Sequence, residues 1–164
     1  MKKHVFALLA WALTTGSCQK SDPAPALTPA ACALLPVTTK APQAEITALK
    51  QYIDTNMITA MADERGFYYT IGSPGSGSKP TRCSRVTVNY TGKLTNGSTF
   101  DSASGISFDL QGLIMGWQAG IPLIAPGGSI TLYLPPSLAY GAQAQNGIPA
   151  NSILVFKIDL IRTN

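Results

Sequence analysis

A chain of 164 residues with 45% hydrophobic residues has room for one core domain plus a leader or tail, since a single domain takes about 100 to 150 residues. The formal charge is +4, but Lys2 and Lys3 sit at the extreme N-terminus. The remainder carries about +2 with no run of Lys or Arg, which argues against a nucleic-acid partner.

The first 18 residues, MKKHVFALLAWALTTGSC, combine a basic start, an apolar stretch from Val5 to Leu13 and small residues. This pattern is a secretory signal, with an apolar run far short of the ~20 residues of a spanning helix. Its end, Thr15-Gly16-Ser17-Cys18, resembles a lipobox, in which a diacylglycerol is attached to the cysteine and the signal is cut before it. An aliphatic residue is usual where Thr15 stands. The expectation is a lipid anchor on Cys18 of a Gram-negative-type envelope, facing the periplasm or the cell surface; the alternative is a plain secreted protein with a free Cys18. Several acyl chains on one cysteine hold firmly, at ~0.8 kcal/mol per buried methylene. Cys32 and Cys83 then form an even pair in an oxidising compartment, which suggests a disulfide. Two unpaired thiols are the other reading. No Cys-x-x-Cys spacing exists and the only histidine, His4, lies in the signal, so no metal site is expected.

Residues 19–42 carry five prolines and no apolar period, and read as a tether holding a domain off a membrane. In 43–66, Ile46, Leu49, Ile53 and Met57 stand near helical spacing after Pro42. They predict an amphipathic helix over 43–55, with room for a second stretch to 63 and a stop at Gly66. The domain proper is expected over 67–164. A first strand, FYYTI at 67–71, precedes a Gly/Ser/Pro loop. Val86, Val88 and Tyr90 alternate with polar residues, Asn96-Gly97 predicts a type I′ turn, and Phe100 and Asp101 stand side by side where the second strand of that hairpin is expected to end. Leu113 to Ile121 can form only a short helix before Pro122. Ile130, Leu132 and Leu134 alternate, as do Leu154, Phe156, Ile158 and Leu160. The sum is an α+β domain, a mostly antiparallel sheet with one short helix against it.

The chemistry available to this domain is narrow. No histidine remains for Ser-His or Cys-His catalysis, and the acids of 67–164 are Asp101, Asp109 and Asp159 alone. The loop GSPGSGSKP lacks a Gly-Lys-Ser/Thr ending, so it cradles no phosphate. A domain poor in acids, bases and nucleophiles yet rich in aromatics binds apolar groups and catalyses by favouring one conformation over another. Rotation about an X-Pro peptide bond, with its ~20 kcal/mol barrier, is a reaction of that kind.

Five motifs carry a resemblance over about 67–164. Tyr90-Thr91-Gly92, Phe100-Asp101-Ser102, Ile114-Met115-Gly116-Trp117, Ala139-Tyr140-Gly141 and Ile148-Pro149-Ala150-Asn151 through Leu154-Val155-Phe156 resemble, in order and spacing, the FKBP-type peptidyl-prolyl cis-trans isomerases. The resemblance implies a five- or six-stranded antiparallel sheet wrapped around a short helix, and a prolyl isomerase needing no cofactor, with Pro-containing polypeptides as substrates and macrolides such as rapamycin as inhibitors. It implies Trp117 as the floor under the Pro ring, with Tyr90, Phe100 and Phe156 as walls and Leu113 beside them. Ile114 would offer its backbone N–H and Tyr140 its hydroxyl to substrate carbonyls, Asp101 would polarise the pocket edge, and Ile148 would cap the pocket. Asp101, Tyr140 and Tyr90 are the catalytic candidates. Three departures stand out. Ile106 occupies a position where many members carry an aromatic wall residue, which implies a looser pocket; Ala150 replaces the second Pro of Ile-Pro-Pro; Pro122 interrupts the end of the helix. A monomer is expected. The competing function is a binding module for Pro-containing segments with little turnover.

Overall fold

A computed structural model describes residues 37–145 and 147–164 of the chain. The signal segment, Cys18, Cys32 and most of the tether lie outside the described residues. Helix α1 (Gln43–Thr55) begins behind Pro42, whose carbonyl accepts from the N–H groups of Glu45 and Ile46. It buries Leu49 and Ile53 and partly buries Ile46, the one-face set that its spacing predicts. Met57 does not continue that face: it is 90% exposed and sits at φ 52, a left-handed conformation that ends helices. The stretch to 63 is therefore not helical. Residues Met61–Ala62 form a short strand, β1, paired with β2 (Tyr68–Ser73). Asp63 organises the bend between them by accepting from the Arg65 N–H at 2.9 Å and from its guanidinium at 2.6 and 2.7 Å. Gly66 serves this bend, at φ 94, and stops no helix.

Strands β3 (Arg85–Leu94) and β4 (Thr99–Asp109) form the long hairpin. Its turn differs from the two-residue type the sequence suggests. Gly97 has φ 87 while Asn96 is not left-handed, and the Leu94 N–H bonds to the Ser98 carbonyl at 2.9 Å. The loop is thus three residues, 95–97, in which only the glycine needs positive φ. The Asn96 side-chain oxygen contributes by accepting from the Ser98 N–H, an Asx turn. Phe100 and Asp101 accordingly stand at the start of β4, which continues eight residues beyond Asp101.

Helix α2 (Met115–Gly120) runs into a 3₁₀ turn over Ile121–Leu123 that holds Pro122 near its start. Proline lacks a backbone donor and is tolerated at that point. Strands β5 (Ser129–Leu134) and β6 (Leu154–Thr163) complete a six-stranded sheet of order β1-β2-β5-β6-β3-β4, with every neighbour antiparallel. The alternating residues Ile130, Leu132, Leu134, Leu154, Phe156, Ile158 and Leu160 are all buried, and α2 lies flush upon them. A Cβ at Gly116 would fall 2.4 Å from Leu134, and one at Gly120 would fall 2.5 Å from Leu132. Two glycines one helical turn apart permit this approach. Helix α1 is joined to the same body by Glu45, whose carboxylate accepts the Ser137 N–H at 2.8 Å.

Candidate functional site

Trp117, within α2, is 4% exposed and meets three rings edge-on. Tyr90 of β3 lies at 5.1 Å and 81°, Phe156 of β6 at 5.3 Å and 90°, and Phe108 of β4 at 6.1 Å and 83°. Ring edges are positive and ring faces negative, so crossings near 90° are attractive and fix the indole as a rigid floor. Above it opens a cavity of about 170 Å³, walled by Tyr90, Phe108, Phe156, Leu113 and Ile114, with Asp101 and Tyr140 also lining it. Pockets that enclose a drug-sized molecule measure roughly 300–1,000 Å³. This one suits a single ring, with the rest of a ligand lying on the rim.

Two irregularities in β4 assemble these walls. Neighbouring residues on a regular strand face opposite sides, so Asp101 and Phe108 would not share a face. Between Val88 and Tyr90 the pairing moves from Ile106 to Ala103, leaving Ser104 and Gly105 opposite Asn89 alone. Gly105, at φ 65, donates its N–H to the Asn89 side chain at 2.8 Å. This bulge changes the parity of the strand and brings Asp101 and Phe108 to one side. A second slip between Gly92 and Lys93, opposite Asp101 and Thr99, makes Phe100 the extra residue. Its ring lies across Gly92, where a Cβ would be 2.5 Å away, and meets Phe156 edge-on at 5.5 Å. The aromatic and the carboxylate can therefore stand side by side and serve one site.

The Tyr90 hydroxyl donates to Asp101 Oδ2 at 2.6 Å. Burial, and after it this hydrogen bond, pushes the Tyr90 phenol up to about 12. The Tyr140 phenol is raised by burial first and then by the Asp101 charge, so both hydroxyls stay protonated donors at neutral pH. The Ile114 N–H has no acceptor among the described residues and is available to a guest. No group of three or more His, Cys, Asp or Glu that could hold a metal occurs among the described residues.

Of the residues singled out from the sequence, Tyr90, Asp101, Leu113, Ile114, Trp117, Tyr140 and Phe156 come together around the cavity. Phe100 backs its wall through Phe156. Ile148 is 6% exposed within the core and pairs with Gln145, and Ile106 is 37% exposed on β4; neither lines the cavity. Phe108 does, and sequence reasoning passed over it. The signal was its alternation with Ile106, masked by the parity change at Gly105. Cys83 lies in the turn before β3, closed by the Ser84 N–H bonding to the Thr81 carbonyl.

Residues 76–161 match the family model of the FKBP-type peptidyl-prolyl cis-trans isomerases. Over 100 residues the chain is 42% identical to the FKBP-type peptidyl-prolyl cis-trans isomerase FkpA of Escherichia coli, covering 58% of this chain and 37% of that protein. Over 101 residues it is 42% identical to the peptidyl-prolyl cis-trans isomerase Mip of Coxiella burnetii, covering 58% and 44%. The chain thus spans about two fifths of the length of these relatives. Among solved structures, Escherichia coli FkpA superposes with a TM-score of 0.68 at 35% identity, over 74% of this chain and 60% of that one. A peptidyl-prolyl cis-trans isomerase from Pseudomonas syringae gives 0.66 at 31%, over 77% and 98%. With the family model matched across half of its length and the sheet, helix and aromatic cavity in place, this chain belongs to the FKBP-type peptidyl-prolyl cis-trans isomerase family.

Proposed function

We propose that the domain accelerates cis-trans rotation of X-Pro bonds in exported polypeptides, without a covalent step. The observation that carries this reading is the cavity floored by Trp117, one ring in size, with hydrogen-bonding groups at its edge. A planar X-Pro amide is stabilised by resonance, and breaking that resonance sets a barrier of about 18–20 kcal/mol. The twisted amide is less polar than the planar one, so an apolar cavity that excludes water favours it relative to solution. The proline ring would rest on Trp117 between Tyr90, Phe108 and Phe156. The Ile114 N–H and the Tyr140 hydroxyl would hold carbonyls on either side of the rotating bond. Asp101, kept in place by the Tyr90 hydroxyl, would set the field at the rim. Each ~1.4 kcal/mol of preference for the twisted state is tenfold in rate, and no proton has to move.

Two further parts of the proposal rest on the sequence. Cys18 carries a lipid that ties the chain to a membrane of the bacterial envelope, with the domain as a monomer on the tether of 19–42. Cys32 and Cys83 form a disulfide. The test of the activity is cis-to-trans relaxation of a Leu-Pro or Phe-Pro test peptide with the mature chain, with and without rapamycin. Acceleration abolished by the macrolide is expected. Macrolide binding without acceleration would replace catalysis by recognition of Pro-containing segments.

A further inference from the structure

Gln118 follows Trp117 on α2 and is 3% exposed, yet the aromatic floor makes no use of it. Its amide is fully engaged elsewhere. Nε2 donates to the Leu113 carbonyl at 2.6 Å and to the Gln111 carbonyl at 3.1 Å, while Oε1 accepts from Arg82 Nε at 2.6 Å. An arginine can only donate and a carbonyl can only accept, so the three contacts fix which end of the amide is which. They join the turn before β3, the segment leading into α2 and α2 itself.

The Leu113 carbonyl and the Ile114 N–H are the two ends of one planar trans peptide unit. Fixing the direction of that carbonyl fixes the N–H on the opposite side. A donor on the carbonyl also polarises the unit, and hydrogen bonds in such a chain strengthen one another. The Arg82 cation starts the chain and the N–H of Ile114, a residue that lines the cavity and whose N–H has no acceptor among the described residues, ends it. We infer that Gln118, braced by Arg82, is a positioning residue that aims the Ile114 N–H at the substrate carbonyl and makes it a stronger donor. This rests on the isomerase reading above, in which that N–H holds a substrate carbonyl.

The experiment compares the wild-type mature chain with Gln118→Met, Arg82→Met and Arg82→Lys by two readouts. The first is the ¹H,¹⁵N resonance of the Ile114 amide, which responds to the hydrogen bond on the preceding carbonyl. The second is kcat and KM for an X-Pro tetrapeptide. Gln118→Met is expected to move the Ile114 resonance and to lower kcat/KM about three- to tenfold, the range of one modest hydrogen bond, mostly through KM. Arg82→Met moves both in the same direction by less, and Arg82→Lys recovers part of the loss. A folded Gln118→Met with an unmoved Ile114 resonance overturns the inference, whatever its activity. Should Gln118→Met not fold, Arg82→Met decides by the same criteria. If the wild-type chain accelerates no peptide, the isomerase reading fails separately and the Ile114 resonance alone decides on the clamp.

Discussion

Replacing Trp117 by alanine separates a floor from a plain core residue. A buried Trp→Ala change costs about 3–5 kcal/mol, made of lost transfer energy and the cavity left behind. Trp117 is 4% exposed and meets three rings edge-on, which points to the upper part of that range. Against this, the hole would open into an existing cavity that reaches the surface, so water fills it and no sealed void remains. We therefore expect the low end, about 3 kcal/mol, within a total stability of about 5–15 kcal/mol for a domain; the variant stays folded. Loss of the floor is expected to weaken macrolide binding about 100-fold or more, near 2.7 kcal/mol. Urea unfolding followed by far-ultraviolet circular dichroism measures the first effect, because Trp117 is the only tryptophan besides Trp11 and cannot report on its own removal. Titration calorimetry measures the second. A loss near 3 kcal/mol with unchanged binding would reduce Trp117 to packing. A loss below about 1 kcal/mol would refute the packing account itself.

Asp101→Ala and Tyr140→Phe alter partly or largely exposed groups at the rim, so each is expected to lower turnover about tenfold. Tyr140→Phe shifts stability by no more than ~0.5 kcal/mol, whereas Asp101→Ala, which takes the acceptor from the Tyr90 hydroxyl, costs about 1 kcal/mol. Unchanged turnover in both, by peptide relaxation, would remove them from the site. Because its phenol is raised to about 12, Tyr90 contributes stability that is complete below the ordinary tyrosine value of 10.0 and is lost as pH rises through about 12. Ultraviolet titration near 295 nm should show Tyr90 ionising last among tyrosines that are also raised, such as Tyr140. Because burial is the larger cause, its ionisation should move to lower pH in Asp101→Asn but remain late. Reducing agent should lower the melting temperature through loss of the proposed Cys32 to Cys83 bridge, which closes a loop of about 50 residues and contributes roughly 4 kcal/mol in the chain-entropy model. Two free thiols by mass spectrometry in unreduced protein would eliminate the bridge.

How far the sequence could be read depended on whether periodicity stayed in phase. Ile130, Leu132 and Leu134 alternate without interruption, as do Leu154 to Leu160, and both runs form the strands expected of them. Where a single residue is inserted, alternation misleads. The extra residue at Ser104-Gly105 turned Phe108 toward the cavity, and the bulge at Phe100 let two neighbours serve one face. Both depend on pairing across the hairpin, which no local pattern encodes. Met57 failed for another reason. It keeps the helical spacing of Ile46, Leu49 and Ile53, but spacing carries no mark of where the chain turns left-handed. Gln118 was invisible because its partners are backbone carbonyls and a side chain 36 positions away.

The Glu45 contact with Ser137 and the pairing of β2 with β5 bear on where this protein can be cut. The family match begins at residue 76, whereas β2 ends at Ser73 and covers β5 from Ser129 to Tyr133. A fragment trimmed to the match would bare the hydrogen-bonding edge of β5 and remove the fully buried Phe67. An uncovered edge of that kind invites pairing with other copies. The borders of recognisable ancestry and the borders of cooperative folding thus fall in different places, and a fragment that keeps β5 covered and Phe67 in the core has to begin ahead of residue 67.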